Sequence, residues 1–400
     1  MGNGGTQTNL RIAGGRGAVS PQNGQPDRFW HLRAWNGMNP GGWWRLLVRG
    51  RFAIAPRRLG MAAINTVVCP HHTLLWCLQE LLYGRRIRAT VIRHDPIFVV
   101  GHWRSGTTLL HELLALDDRL TYPRTYDCFS PNHFLVSSRW MKWWLRALLP
   151  RRRGIDNMAL GLDRPQEDEF ALCNLGLPSP YLGLAFPNRA ELWAEWLDFD
   201  GVAPRELERW KRGFVWFLKC LTLRDDKPVV LKSPTHTARI RTLLELFPRA
   251  RFVHIVRDPY VVFPSTIHLT KTLSRREGLQ VPRHEGLEDR VFETFNRLYA
   301  AFDRDRPLLS DSQFCEVRYE ELVADPVGQM ERVYDRLALD DFDHVRPAVE
   351  RYAHQQRDYP TNRYEISVQT RDEITRRWGW FAERYGYAGW RDRGTERLRE

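Results

Sequence analysis

A short apolar segment followed by a glycine-bearing loop constrains the fold of this chain more than any other feature. Residues 96–100 (PIFVV) have the composition of a buried strand, and the loop GHWRSGTT follows at residues 101–108. The apolar spacing from Thr107 to Leu116 predicts a helix that starts inside the loop. Backbone N–H groups at a helix start point toward an anion, and the helix dipole favours negative charge there. An ordinary strand–helix turn is the alternative, but the combination indicates a phosphate-binding turn.

Two further apolar segments extend this pattern. Residues 228–231 (PVVL) and 251–256 (RFVHIV) predict strands, and residues 237–247 between them predict a helix. Strands that alternate with helices in the sequence form parallel sheets. We therefore expect an α/β fold with a P-loop-like central parallel sheet flanked by helices.

The loop is close to the Walker A pattern of P-loop nucleotide kinases and NTPases but departs from it at one position. That pattern requires a lysine where this chain has Thr107. Enzymes of that class use the lysine with Mg²⁺ to neutralise the γ-phosphoryl group. The positive charge here is Arg104, inside the loop, which suits a donor that needs no metal. A kinase or NTPase therefore stays as a disfavoured alternative, and we expect no metal site, since the six cysteines form no CxxC pair.

A second motif, RDPYVVFPS, follows the third predicted strand. Arg257 stands at the carboxyl end of that strand, where ligands bind in open α/β sheets. Ser265 follows eight residues later. A guanidinium group together with a hydroxyl group is suited to clamp a second phosphate.

Together the two motifs resemble those of the sulfotransferases that use 3′-phosphoadenosine 5′-phosphosulfate (PAPS). That family carries an RSGTT or KSGTT loop for the 5′-phosphosulfate and an R-x-P motif, with a serine eight residues after the arginine, for the 3′-phosphate. The resemblance implies PAPS as the donor of a sulfuryl group and a 5′ site built from Arg104, Ser105, Gly106, Thr107 and Thr108. It further implies a 3′-phosphate site at Arg257 and Ser265, and a place near the adenine for Tyr319, in a segment (VRYEEL) similar to the family's Y-E-D-L element.

The general base is where this chain departs from the cytosolic members of the family. Those members have K-T-H-L-P, with the histidine as the base. This chain has LKSPTH, so Lys232 matches, but Pro234 occupies the histidine position. Lys232 and Arg104 are expected to stabilise the charge that develops on the leaving phosphate. His236, two residues after the matching position, is one candidate base.

A second candidate lies in the segment RPQEDEF. We interpret Pro165 as the first residue of a helix, which puts the acids in its first turn. Such acids can simply stabilise a helix start. Carbohydrate- and protein-tyrosine-directed sulfotransferases, however, use a glutamate as base. The resemblance therefore favours Glu167 as the base, followed by Glu169 and then His236.

The chain divides into three predicted parts. Residues 1–28, rich in Gly, Asn and Gln, predict a disordered tail. Residues 29–93 are aromatic and basic and predict a helical extension, and residues 94–400 predict the sulfotransferase domain. Residues 60–79 lack Asp, Glu, Lys and Arg, but polar and helix-breaking residues near Pro70 argue against a membrane span. We expect two helices broken near Pro70, the second ending at Gly84.

A tryptophan-rich helix is predicted further along the chain. Trp140, Trp143 and Trp144 recur at helical spacing, and basic residues lie beside them and at 151–153. An interfacial membrane helix would show this pattern. A helix that packs on the core shows it as well, and we favour that interpretation.

The net charge of +12 predicts an anionic partner. Without a signal-peptide pattern we expect a cytoplasmic protein, with peripheral membrane association left open. The acceptor is a small molecule, lipid, carbohydrate or peptide that the sequence does not specify. The chain carries no nucleic-acid-binding signature, so no nucleic-acid partner is expected. A non-catalytic anion- or membrane-binding protein is the remaining alternative.

Overall fold

A computed structural model describes residues 33–146, 161–356 and 366–387. The strands are β1 (Ile97–Val100), β2 (Val230–Lys232), β3 (Arg251–Val256) and β4 (Phe314–Arg318). The α-helices of the described residues are α1 (Pro40–Arg49), α2 (Leu59–Ala89), α3 (Thr107–Leu114), α4 (Thr125–Phe129), α5 (Phe134–Arg146), α6 (Asp168–Asn174), α7 (Pro204–Arg224), α8 (Ile240–Leu246), α9 (Pro259–Glu277), α10 (Leu287–Asp305), α11 (Tyr319–Ala324), α12 (Pro326–Arg336), α13 (Arg346–Gln356) and α14 (Val368–Arg384). The predicted tail at residues 1–28 lies outside the described residues.

The four strands form one parallel sheet in the order β2-β1-β3-β4. This confirms the predicted α/β class with a central parallel sheet flanked by helices. The three predicted strands are present, with ends shifted by at most two residues. The fourth strand, β4, was not predicted, because Glu316 interrupts its apolar pattern. That carboxylate is accommodated by His254 of β3, whose Nδ1 lies 2.9 Å from Glu316 Oε2.

Helices cover both faces of the sheet, so the strands are buried on both sides. Phe98 of β1 and Phe252 of β3 stack with ring centroids 5.2 Å apart and pack in the same apolar cluster as residues of α7 and α10. Their neighbours Val99 and Val253 point the other way, into a second cluster with residues of α3 and α12. Continuous apolar strands are what a parallel sheet with two covered faces requires.

Helix α2 contradicts the predicted break near Pro70, because it runs without interruption through that residue. Proline cannot donate an N–H group to the carbonyl of Thr66 one turn earlier. The Cys69 thiol donates to that carbonyl instead, at 3.3 Å. The predicted end at Gly84 is also wrong, because α2 continues to Ala89. A Cβ atom at position 84 would collide with the Glu80 carboxylate. Glycine at this position makes room for the ion pair between Glu80 and Arg88.

Two other helix predictions need correction. The helix predicted at residues 237–247 is divided into a 3₁₀ turn at Pro234–Ala238 and the helix α8. On α5, Trp140 and Trp143 do not face the core as we favoured: 66% of Trp143 is exposed, and Trp140 is exposed as well. The helix packs through Phe134 and Ser137 instead, both of which are buried. The basic run at residues 151–153 lies outside the described residues.

Among the described residues, no helix has both the length and the apolar character needed to cross a bilayer. All six cysteines are unpaired. Five of them are buried, and Cys77, on α2, is exposed. Burial raises the pKa of the buried thiols, most strongly at Cys128, Cys173 and Cys220.

Candidate active site

The carboxyl ends of all four strands meet at one edge of the sheet. The loop of residues 101–106 follows β1, and Lys232 is the last residue of β2. Arg257 directly follows β3, and Tyr319 directly follows β4. Because parallel strands all point the same way, their carboxyl ends form a common crevice for a ligand. The two predicted motifs and the lysine are therefore brought together by the sheet itself.

The loop after β1 adopts a backbone that only certain residues tolerate. Gly106, immediately before α3, has φ of 103°, a left-handed conformation that favours glycine. A Cβ atom at Gly106 would also lie 2.3 Å from Cδ2 of Tyr319. Arg104 has φ of 69°, and Ser105 is buried with its hydroxyl donating to the His102 carbonyl at 2.7 Å. The loop is thus held in one shape, with the α3 N-terminus at its end.

The second motif contacts this loop directly. Arg104 Nε donates to Ser265 Oγ at 2.8 Å, and Arg257 Nη1 donates to the Arg104 carbonyl at 3.1 Å. The Arg257 guanidinium also stacks on the ring of Tyr319, 3.9 Å from its centroid. Burial lowers the pKa of Arg257, and the nearby charge of Arg104 contributes to this shift. The positive charges of Arg104 and Arg257 repel each other here, so an anion bound between them would be stabilised by both guanidinium groups.

Glu167 lies in an ion pair at the other side of the loop. Lys232 Nζ is 2.6 Å from Glu167 Oε1 and 3.4 Å from Thr108 Oγ1 in the first turn of α3. Lys232 is buried and Glu167 is partly exposed. The pair therefore places a carboxylate and an ammonium group beside the helix start that follows the loop.

The helix that carries Glu167 starts later than predicted. Pro165 is not its first residue: α6 begins at Asp168, and Glu167 is the N-cap residue in extended conformation. Pro165 forms an isolated antiparallel bridge with Arg124, which holds this part of the chain extended. Because Glu167 stands just outside the helix, its side chain can turn toward Lys232 rather than follow the helix surface.

Tyr181 is a site residue that the sequence analysis missed. Its hydroxyl group donates to Glu167 Oε2 and accepts from Trp103 Nε1 at 3.0 Å. Burial raises the pKa of the Tyr181 hydroxyl well above its usual range, and the Glu167 charge adds to this effect. Tyr181 is therefore a permanent donor to the carboxylate. No local motif marks it, since it follows Pro180 in a 3₁₀ turn outside the segments with recognisable motifs.

Glu169 is fully buried and bound by several donors. Arg239 donates to its two oxygens at 2.7 and 3.0 Å, and Thr235 Oγ1 donates at 2.9 Å. Arg239 itself is fully buried beneath the rings of Phe199 and Trp210. These contacts give Glu169 the role of partner to a buried cation.

His236 is also fully buried and points away from the crevice. Its Nε2 lies 2.6 Å from Asp168 Oδ2, and its ring packs against Phe98 and Phe214 in the core. Burial alone would raise the pKa of Asp168, but the charge of His236 and hydrogen bonds from His236 and Ser233 hold it below its ordinary value. His236 therefore serves the contact between α6 and the segment after β2.

Comparison with known proteins places this α/β chain in a family. Residues 96–344 match the sequence model of the Sulfotransferase family. The chain is 48% identical over 360 residues to omega-hydroxy-beta-dihydromenaquinone-9 sulfotransferase Stf3 of Mycobacterium bovis, covering 90% of this chain and 92% of that protein. This chain therefore belongs to the sulfotransferase family and is an enzyme of that class, which sets aside the kinase and the non-catalytic alternatives.

Solved structures support the same fold. The sulfotransferase STF1 from Mycobacterium tuberculosis H37Rv matches with a TM-score of 0.61 and 19% identity, covering 88% of this chain and 93% of that chain. The sulfotransferase STF9 from Mycobacterium avium matches with a TM-score of 0.61 and 18% identity, covering 87% of this chain and 96% of that chain.

The burial of Glu169 gives a first prediction. Glu169→Gln should lower the free energy of unfolding by about 3–5 kcal/mol, because it leaves the buried Arg239 without a counter-charge. Denaturant unfolding measures this loss. Adding Arg239→Met to Glu169→Gln should restore part of the stability, since the uncompensated cation is then removed. Normal stability combined with lost turnover in Glu169→Gln would instead make Glu169 the general base.

Proposed function

We propose that this enzyme transfers a sulfuryl group from PAPS to the terminal hydroxyl group of a hydroxylated prenyl quinone, with Glu167 as the general base. The observation that carries the proposal is the ion pair between Glu167 and Lys232, 2.6 Å long and next to Thr108 of the loop helix. It combines a proton acceptor and a cation at the point where the 5′-phosphosulfate of PAPS would meet the acceptor.

The donor would lie along the sheet edge, from β1 toward β4. Its 5′-phosphosulfate would bind the N–H groups and side chains of a single loop segment, namely Arg104, Ser105, Gly106, Thr107 and Thr108. Its 3′-phosphate would bind Arg257 and Ser265, since both already contact Arg104. Tyr319, stacked under Arg257, would contact the adenosine. A helix start and guanidinium groups bind phosphate without a metal ion.

The reaction would proceed by in-line displacement at sulfur. The acceptor oxygen forms a bond to sulfur while its proton passes to Glu167, and the bond from sulfur to the bridging oxygen of the 5′-phosphate breaks. The products are the sulfate ester, adenosine 3′,5′-bisphosphate and the protonated carboxyl group. Negative charge grows on the bridging oxygen, where Lys232, Arg104 and the loop N–H groups would stabilise it.

Lys232 has a second role in this scheme. In the absence of donor, its ammonium group is held by the Glu167 carboxylate at 2.6 Å. Donor phosphates near Thr108 would attract the ammonium group away from the carboxylate. Glu167 would then be free to meet the acceptor hydroxyl group, and Tyr181 would keep its side chain oriented.

The proposed acceptor has two supports. The first is the relative Stf3, whose name describes a hydroxylated dihydromenaquinone acceptor. The similarity to Stf3 covers 90% of this chain. The second is an aromatic wall beside the base: Tyr181 packs against Phe170 and Trp103, with ring centroids 5.3 and 6.2 Å apart. Phe170 in turn stacks on Phe129. Such a wall suits an isoprenoid chain better than a carbohydrate.

The donor site gives a second prediction. Arg257→Ala should weaken binding of adenosine 3′,5′-bisphosphate by about 2–5 kcal/mol, the usual loss when one partner of a buried charge pair is removed. Titration calorimetry measures the affinity. Adenosine 5′-phosphosulfate, which lacks the 3′-phosphate, is the matched ligand and should bind the variant nearly as well as the wild type. Equal losses of affinity for both ligands would contradict a 3′-phosphate role for Arg257. An ATP–Mg²⁺ complex that raises the melting temperature of the wild type more than adenosine 3′,5′-bisphosphate does would contradict the PAPS site.

The base gives a third prediction. Glu167→Gln keeps the size and shape of the side chain but cannot accept a proton, so turnover should fall by about 10²- to 10⁴-fold. Affinity for adenosine 3′,5′-bisphosphate should remain near that of the wild type, which calorimetry checks on the same sample. His236→Gln is the matched control, because its amide can still donate to Asp168. Loss of turnover in the control together with an active Glu167→Gln would assign the base to His236.

The acceptor gives a fourth prediction. A prenyl quinol with a hydroxyl group at the end of its chain should gain one sulfuryl group from PAPS, whereas the same quinol without that hydroxyl should not react. Mass spectrometry with fragmentation locates the modified oxygen. Sulfation of the ring hydroxyls in both compounds, or of a carbohydrate in preference to either, would show that a different acceptor is used.

A further inference from the structure

Helix α2 exposes a row of large apolar residues and buries two of its amide side chains. Val67, Leu74 and Leu81 are 79%, 70% and 81% exposed, whereas Asn65 and Gln79 are buried. A surface helix of a globular protein shows the reverse arrangement, with its apolar stripe against the core. The exposed side of α2 therefore has the character of a surface that meets an apolar environment.

Contacts with α5 fix this orientation of the helix. Gln79 Oε1 accepts from the Leu135 backbone N–H at 3.0 Å, and His72 Nδ1 lies 2.9 Å from His133 Nε2. Helix α2 also packs against α7. Since turning the helix would leave Gln79 and His72 without their partners, the apolar side cannot rotate inward without breaking both contacts.

The large apolar residues of the exposed side form a stripe, interrupted by the exposed His71, which we call the apolar face. It consists of Ile64, Val67, Leu74, Leu78, Leu81 and Leu82. Their spacing of three, four or seven residues places them along one side of the helix. The stripe extends over about 27 Å, from the rise of 1.5 Å per residue. An apolar patch of this kind on a protein surface marks an interaction site.

The charges around the apolar face are positive. Residues 33–93 carry ten arginines and a single carboxylate, Glu80, which is paired with Arg88. Arg85 and Arg86 are exposed in the last turns of α2, and Arg57 is exposed just before its start. Basic residues beside an apolar helix face are attracted to anionic lipid headgroups.

Exposed tryptophans lie on the two helices that flank α2. Trp44 of α1 is exposed, and so are Trp140 and Trp143 of α5, and both helices contact α2. Tryptophan is enriched where one end of the ring meets an apolar phase and the other meets water. These residues extend the character of the apolar face beyond α2 itself.

We propose that α2 is an interfacial helix that docks the enzyme on an anionic lipid bilayer. Its apolar face enters the boundary between headgroups and acyl chains, its terminal arginines contact the headgroups, and its polar side stays packed on α5 and α7. The basic charge favours a lipid surface over a second copy of this chain, because two such arginine-rich faces would repel each other. The inference stands on the exposed face alone and does not require the proposed acceptor.

Flotation of the full chain with lipid vesicles tests this proposal. The wild type should bind vesicles containing phosphatidylglycerol more tightly than vesicles of phosphatidylcholine alone, and added salt should reduce the difference. The variant with Leu74→Glu and Leu81→Glu should lose binding by roughly tenfold or more for each leucine withdrawn from the apolar phase. Val368→Glu, at an equally exposed apolar residue of α14, is the matched control and should bind as the wild type does.

A second variant probes the charges separately. Arg85→Glu with Arg86→Glu should remove the preference for anionic vesicles. Thermal unfolding and adenosine 3′,5′-bisphosphate binding of every variant should match the wild type, because the substituted residues are exposed. Wild-type protein that does not float, or a leucine variant that floats equally well, overturns the proposal. So does a wild-type dimer, seen by light scattering, that the leucine substitutions convert to a monomer.

Discussion

The parallel pairing of β1 with β2 on one side and with β3 on the other is the constraint on which the site depends. It carries the loop after β1, Lys232 and Arg257 to one edge, although more than 100 residues separate the first from the other two. The pairing of β3 with β4 then adds Tyr319, whose ring fills the space beside Gly106. These groups depend on one another, since the tyrosine ring leaves room only for glycine at position 106 and also supports the Arg257 guanidinium group. The crevice is thus a property of the sheet rather than of any single motif.

Electrostatic pairing divides three neighbouring carboxylates into different roles. Residues 167–169 are consecutive acids, and each meets a different cation or imidazole at the end of β2 or after it: Lys232, His236 and Arg239. Removing a charge from water is costly unless a partner compensates it. The two deeper pairs are fully buried and hold α6 against the segment after β2. The first pair is partly exposed and lies beside the loop, which leaves it available for chemistry. A run of acids in the sequence therefore yields two stabilising contacts and one candidate base.

Local sequence patterns predicted the elements around the loop of residues 101–106 well, because strand, glycine turn and helix start are determined by residues close in sequence. The choice of Glu167 over Glu169 and His236 came from resemblance and stays a prediction. Tyr181 and Arg239 could not be predicted, since no motif marks them. At Pro165 and on α5, contacts between distant segments outweighed local helix signals, whereas at Pro70 the Cys69 thiol donates to the carbonyl that proline cannot reach with an N–H group. A single sequence indicates the backbone propensity of each segment, but it does not show which side chains will contact one another in the fold.

The distribution of the cysteines has a practical consequence. A thiol reacts as its thiolate and must be reachable by the reagent, so burial protects Cys128 and Cys173, whose pKa values are raised. Cys77 is the exposed thiol of the chain, and it lies on α2 between Leu74 and Leu78. A maleimide fluorophore would therefore attach to the unmodified protein at this one helix. The same exposure makes Cys77 the thiol most open to oxidants and electrophiles, so chemical damage to the enzyme would begin on the helix with the apolar face and not in the crevice.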